Sequence, residues 1–148
     1  MISQKCQYAI RAIFELARRY GQGPVKIADI SKAQAVPSRF LEVILSQLKQ
    51  AGFVQSRRGA AGGYVLAHPP SQMTVGEVVR FVEGPQVPVE CMIGRTVKGC
   101  RLSGRCVFMG MWKRAAKAVS DIYDGTTFQD LLDEEIKMES AASLTYSI

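Results

Sequence analysis

Residues 36–66, VPSRFLEVILSQLKQAGFVQSRRGAAGGYVL, decide the fold. In the first half, Leu41, Ile44, Leu45 and Leu48 recur at i, i+3, i+4 and i+7, the spacing of a helix with one buried face. Arg39, Val43, Ser46 and Gln50 then point the other way, with Glu42 at the margin. Pro37 suits a first helical turn, where no backbone donor is needed, and Ser38 is the alternative cap. Gly52 stands where a left-handed residue would end the helix.

An extended, alternating segment from Phe53 to Ser56 follows. Arg57 and Arg58 lead into Gly59-Ala60-Ala61-Gly62-Gly63, whose glycines supply the turn, and Tyr64 to Leu66 is the returning strand. The pattern is that of a recognition helix followed by a two-stranded wing. An α-helix fits the major groove of B-DNA, and a basic hairpin beside it can reach phosphates or the minor groove, where arginine is attracted by negative potential. The alternative is a helix-hairpin unit that only packs a core, with Arg57 and Arg58 as solvated charge.

The chain has 148 residues, enough for one core, and 47% hydrophobic with 22% charged residues, the composition of a globular protein. Its net charge of +6 is unevenly spread. Residues 1–67 hold ten Lys/Arg against three Asp/Glu, residues 68–120 eight against three, and residues 121–148 one against seven. The basic surplus therefore sits with the reading head, as a polyanion partner requires. No apolar leader follows the first Met and no run approaches the length of a membrane span, so a soluble, cytoplasmic protein with no membrane association is expected.

Apolar residues Cys6, Ala9, Ile10, Ile13, Leu16, Ala17 and Tyr20 predict a first amphipathic helix, with Arg11, Glu15, Arg18 and Arg19 on its polar side. Residues 26–34 predict a short second helix with Ile27 and Ile30 inward. Pro69-Pro70 closes the wing, and Thr74-Val75-Gly76-Glu77 is a capping box that starts a helix ending near Glu83, packed against the first helix. Phe108, Met111, Trp112, Ala115, Val119, Ile122 and Tyr123 form one long helical stripe with little of its own domain to bury against. The same helix of a second chain is its expected partner, since most soluble oligomers are two-fold dimers. Thr127 caps a last helix bearing Phe128, Leu131, Leu132 and Ile136.

The expected fold is thus mainly α with a small β-hairpin wing, a winged helix-turn-helix plus a long dimerisation helix. Its expected parts are a winged helix-turn-helix DNA-binding domain (1–84), a linker and cysteine loop (85–106), the dimerisation and C-terminal helices (107–139) and a flexible tail (140–148). No catalytic site is expected: the single histidine, His68, stands beside Pro69-Pro70, no glycine-rich phosphate loop opens a helix, and no nucleophile is paired with a base.

Three of the four cysteines, Cys91, Cys100 and Cys106, lie within 16 residues, separated by eight and then five residues. That is not the paired spacing of a zinc ribbon. Three thiolates with a weak or borrowed fourth ligand suit an iron–sulfur cluster, with Arg95, Lys98, Arg101 and Arg105 as positive surroundings and Gly94, Gly99 and Gly104 letting the loop wrap an inorganic core. A loop of free thiols is the alternative.

In their order along residues 1–137, these pieces resemble the bacterial family of small iron–sulfur winged-helix regulators, IscR-like and nitric-oxide-sensitive repressors among them. The resemblance is carried by Tyr8-Ala9-Ile10-Arg11, Ala28-Asp29-Ile30-Ser31, Phe40-Leu41-Glu42, Arg58-Gly59-Ala60-Ala61-Gly62-Gly63-Tyr64, Val75-Gly76-Glu77-Val78 and the cysteines. It implies a homodimeric transcription regulator that binds a double-stranded DNA operator, an inverted repeat, through Ser38, Arg39, Phe40, Glu42, Val43, Arg57 and Arg58. It further implies that Cys91, Cys100 and Cys106 hold a 2Fe-2S or 4Fe-4S iron–sulfur cluster that alters DNA binding. Three departures concern the metal and leave the fourth ligand unassigned: the gap between Cys91 and Cys100 is longer than the five residues common in the family, Met109 stands where some members have a ligating His, and Gln7 where others have an acidic ligand from the partner chain. Cys6, next to Gln7, is an outside candidate for that ligand, whereas its helical phase favours the core. A cluster-free thiol-based redox sensor of the same fold, and an iron–sulfur or protein-interaction module that does not bind DNA, are the alternative functions.

Overall fold

Helix α1 (Gln4–Arg18) starts at Ser3, whose Oγ accepts a 3.1 Å hydrogen bond from the amide of Cys6. In this computed structural model, which describes residues 1–94 and 100–147, α1 is the central element. Cys6, Ala9, Ala12, Ile13, Leu16 and Ala17 are buried along it, and it packs on α2, α3, α4 and α6. Two residues depart from the expected wheel. Tyr20 lies past the end of the helix and is 47% exposed. Glu15, expected on the polar side, is buried, because Arg18, Arg19 and Gln34 surround its carboxylate.

Helix α2 (Ile27–Gln34) buries Ile30 and stops at Ala35, held at φ 52°, the only non-glycine residue with positive φ among the described residues. That left-handed residue folds the chain sharply into α3 (Ser38–Gln50). Pro37 occupies the cap position and its carbonyl accepts from Phe40 and Leu41, while Ser38 is the first helical residue and makes no cap bond. Leu41, Ile44, Leu45 and Leu48 are buried as their spacing predicts, and Gly52 at φ 85° ends the turn.

The wing is an antiparallel pair, β1 (Val54–Arg57) and β2 (Gly63–Leu66), in a register from Val54 opposite Leu66 to Arg57 opposite Gly63. Val25 forms a separate antiparallel bridge to β2: its amide and carbonyl both bond Tyr64, at 2.9 and 2.8 Å. The approach is so close that any side chain at Gly63 would meet the Val25 carbonyl.

Helix α4 (Val75–Glu83) opens with the expected capping box, in which Glu77 N donates to Thr74 Oγ1 and Thr74 N donates to Glu77 Oε2. It packs Val75, Val78 and Val79 into the core. Past a 3-10 turn at Glu90–Ile93 come α5 (Met109–Asp124) and α6 (Phe128–Tyr146), the latter capped by Thr127 with Asp130. Phe128 is fully buried and its amide bonds the Met73 carbonyl, so the last helix closes the core of the winged unit. Residues 140–146, expected as part of a flexible tail, continue α6 to Tyr146. There the hydroxyls of Ser140, Ser143 and Thr145 donate to carbonyls one turn earlier, satisfying local polarity on a helix end that buries nothing. Ile148 lies outside the described residues.

Candidate functional site

Packing Leu41, Ile44, Leu45 and Leu48 inward forces the other side of α3 outward. Ser38, Arg39, Phe40, Glu42 and Val43 are all exposed, Val43 by 57% and Phe40 by 40%. Phe40 lies at the edge of this face, next to α1. Its ring lies 5.8 Å from that of Tyr8 on α1, and the Arg39 guanidinium carbon is 4.8 Å from its centroid.

At the wing, Arg57 ends β1 and Arg58 begins the turn, both exposed. Gly59 takes φ 104°, and Gly62 donates to the Gly59 carbonyl at 2.9 Å while lying against the Arg57 backbone, where a Cβ would collide. The turn therefore needs both glycines, and it leaves two guanidinium groups beside it. Among the described residues no ion pair engages Arg39, Arg57 or Arg58, so their charge is available to an external anion.

In the cysteine loop, Cys91 is exposed on the Glu90–Ile93 turn, Cys100 is exposed, and Cys106 is half-buried just before α5, with its carbonyl accepting from Met109. All four cysteines are free thiols. Three soft sulfur donors on one loop have the donor chemistry of an iron–sulfur cluster. Among the described residues, however, no group of three or more Cys, His, Asp or Glu converges as a metal site. Arg95, Lys98 and Gly99 lie outside the described residues; Arg101 and Arg105 are exposed. Gln7 is exposed on α1, and Met109 is half-buried at the start of α5.

Cys6 differs from the loop thiols. It is fully buried, and burial, reinforced by the neighbouring Glu83 carboxylate, pushes its thiol up to about 11. Glu83 is itself held below the usual carboxylate range, chiefly by its hydrogen bond from Ser3. Cys6 is therefore a core residue in this chain, as its helical phase predicts.

Helix α5 buries none of its residues, and Phe108, Met111, Val119 and Ile122 are 40–66% exposed. Among the described residues its main contact is with α4, where Arg80 and Asp124 form an ion pair, and Tyr123 reaches the core. Sequence reasoning missed the Tyr8–Phe40 contact, which joins two helices and leaves no local periodic signal.

Three packed helices, a hairpin wing and an exposed, unpaired basic face define a winged helix-turn-helix DNA-binding protein. The chain belongs to the Rrf2 family, whose profile, described as an iron-dependent transcriptional regulator, matches residues 2–134. It is 36% identical over 130 residues to the HTH-type transcriptional regulator CymR of Bacillus subtilis, covering 88% of each chain. It is 32% identical over 140 residues to the HTH-type transcriptional regulator IscR of Aliivibrio salmonicida, covering 94% of this chain and 82% of that one. The solved structure of CymR, the global cysteine regulator of B. subtilis, superposes with a TM-score of 0.76 over 90% of this chain and 97% of that one, at 35% identity. The chain is a DNA-binding transcription regulator, not an enzyme. None of its described helices is long and apolar enough to cross a membrane.

Proposed function

We propose that the chain acts in the cytoplasm as a homodimer on an inverted-repeat operator, and that an iron–sulfur cluster held by Cys91, Cys100 and Cys106 sets its operator affinity. Ser38, Arg39, Phe40, Glu42 and Val43 enter a major groove, while Arg57 and Arg58 reach phosphates or the adjacent minor groove. Dimerisation through α5 sets two recognition helices against two half-sites. The observation that carries the reading is the position of Cys106, half-buried three residues before α5, a helix that leaves Met111, Val119 and Ile122 exposed. A change at the cysteines is thereby joined to the surface that would set the spacing of the two reading heads.

When bound, a cluster of this kind supplies reversible electron and ligand exchange. The residues of this chain hold it, and Gly94 and Gly104, at φ 73° and 81°, shape the backbone between the sulfurs. The 2Fe-2S and 4Fe-4S types are distinguished by their iron and sulfide content per chain. A second reading, cluster-free thiol sensing, is favoured by the exposure of Cys91 and Cys100 and by the likeness to a relative described as a cysteine regulator.

Purification without oxygen, followed by visible absorption and iron and sulfide analysis, tests the two readings. The cluster reading predicts stoichiometric iron and sulfide that each of Cys91→Ala, Cys100→Ala and Cys106→Ala depletes, with Cys6→Ala leaving both nearly intact. Iron-free, colourless protein that still loses operator affinity on oxidation, and regains it with dithiothreitol, would replace it with the thiol reading.

A further inference from the structure

Arginine earns sequence discrimination only when its guanidinium is held in one place, because a long side chain that must be ordered on binding loses rotamer entropy in doing so. Arg39 is exposed and has no ion pair among the described residues, yet its guanidinium carbon lies 4.8 Å from the centroid of the Phe40 ring. Phe40 is itself 40% exposed and would be loosely held on α3 alone. What it meets is Tyr8, centroid to centroid at 5.8 Å with the rings tilted by 41°. Tyr8 is partly buried and packed against the core beside fully buried Ala9, so it is anchored where Phe40 is not. The three side chains form a stack running from the rigid first helix to the exposed face of the recognition helix.

We infer that Tyr8 is a positioning residue for operator specificity: through the Phe40 ring it fixes the Arg39 guanidinium in the orientation that reads a base edge. The inference rests on the proposed DNA-facing role of α3. It adds a residue that lies outside the helix and wing expected to meet DNA. Tilted aromatic pairs and guanidinium-over-ring contacts are each weak, so the effect belongs in discrimination between sequences and not in gross affinity. Phosphate attraction, which is indifferent to sequence, should be left alone.

The test uses the full-length protein and the duplex that the wild type recovers from a random pool, with a scrambled duplex of equal length as reference. Tyr8→Leu keeps apolar volume in the core but removes the ring, Tyr8→Phe keeps the ring, and Arg39→Ala removes the group being positioned. Tyr8→Leu should lower the ratio of selected to scrambled affinity by about two- to tenfold. Scrambled-duplex affinity and its salt slope should stay unchanged, and Tyr8→Phe should keep the wild-type ratio. In an Arg39→Ala background, Tyr8→Leu should have no further effect on the ratio. Equal loss on both duplexes, or a Tyr8→Leu effect that persists without Arg39, would overturn the positioning role. Arg39→Ala leaving the ratio unchanged would instead remove the reading role of Arg39, and the positioning role with it. Thermal unfolding of each variant separates a fold defect, which shifts the midpoint and weakens both duplexes together, from the predicted change in ratio alone.

Discussion

The Glu15 carboxylate, only 1% exposed, accepts a 2.8 Å hydrogen bond from the side-chain amide of Gln34, tying the last turn of α1 to the last residue of α2. Arg19 and Arg18 complete its shell at 2.8 and 3.1 Å, and Arg18 continues to Glu135 on α6. Because both guanidinium groups are more than a third exposed, their pairing is screened by water, which leaves the part-buried hydrogen bond from Gln34 as the firmer link between α1 and α2.

Replacing Glu15 by Ala should therefore cost about 1 to 3 kcal/mol, the usual result of leaving a part-buried polar group unsatisfied. Urea unfolding checks it. A midpoint equal to that of the wild type would mean that this carboxylate does not hold α1 to α2.

Cys6 and the loop cysteines should separate chemically. In reduced, iron-free protein near neutral pH, Cys91, Cys100 and Cys106 should react readily with an aromatic disulfide reagent, and Cys6 only after denaturation. Burial pushes the folded thiol of Cys6 up to about 11, above its ordinary value, so the unfolded chain releases its proton first as pH rises. The Cys6 contribution to stability is then complete below about pH 9 and is lost as pH approaches 11. Cys6→Ala should flatten that part of the stability profile. An unchanged alkaline slope would contradict the assignment.

How much of this could be read from the sequence depended on whether the signal was local. Helix α3 was legible because four apolar residues share one face and Gly52 ends it, and α4 and α6 were legible from Thr74 with Glu77 and from Thr127. The Val25–Tyr64 bridge was not, since one residue in a loop carries no alternation. Glu15 looked like a surface residue because the partner that buries it comes from α2, and residues 140–146 form a helix without any apolar stripe to announce it. Of the candidate site, the exposed face of α3 and the wing arginines follow from helix phase and turn chemistry. The relation among the cysteines does not, because it depends on how a loop is folded and on what it binds.

Arg58→Ala should weaken operator binding by about 1 to 3 kcal/mol if the guanidinium reads a groove. If it meets only phosphate, the loss should be similar on every duplex, and the slope of log affinity against log salt should shrink by about one. Fluorescence anisotropy over a salt series distinguishes these. Unchanged duplex affinity in Arg58→Ala combined with Arg39→Ala would contradict the assigned reading face.

Glu at both Val119 and Ile122, which are 40% and 66% exposed in one chain, would set unpaired charge in the proposed seam of α5. The double variant should sediment as a folded monomer and lose cooperative binding to two half-sites. A wild-type protein that is itself monomeric at micromolar concentration would rule out this interface.

The most direct measurement of the proposed switch is operator affinity, taken without oxygen, on one preparation before and after its iron is removed by chelation. A cluster at Cys91, Cys100 and Cys106 that controls binding predicts a change of about 5- to 150-fold, the usual range for coupling between two sites. The Cys100→Ala variant should bind with the affinity of the iron-free form and not respond to the chelator. Equal operator affinity of the iron-loaded and iron-free proteins would contradict the account.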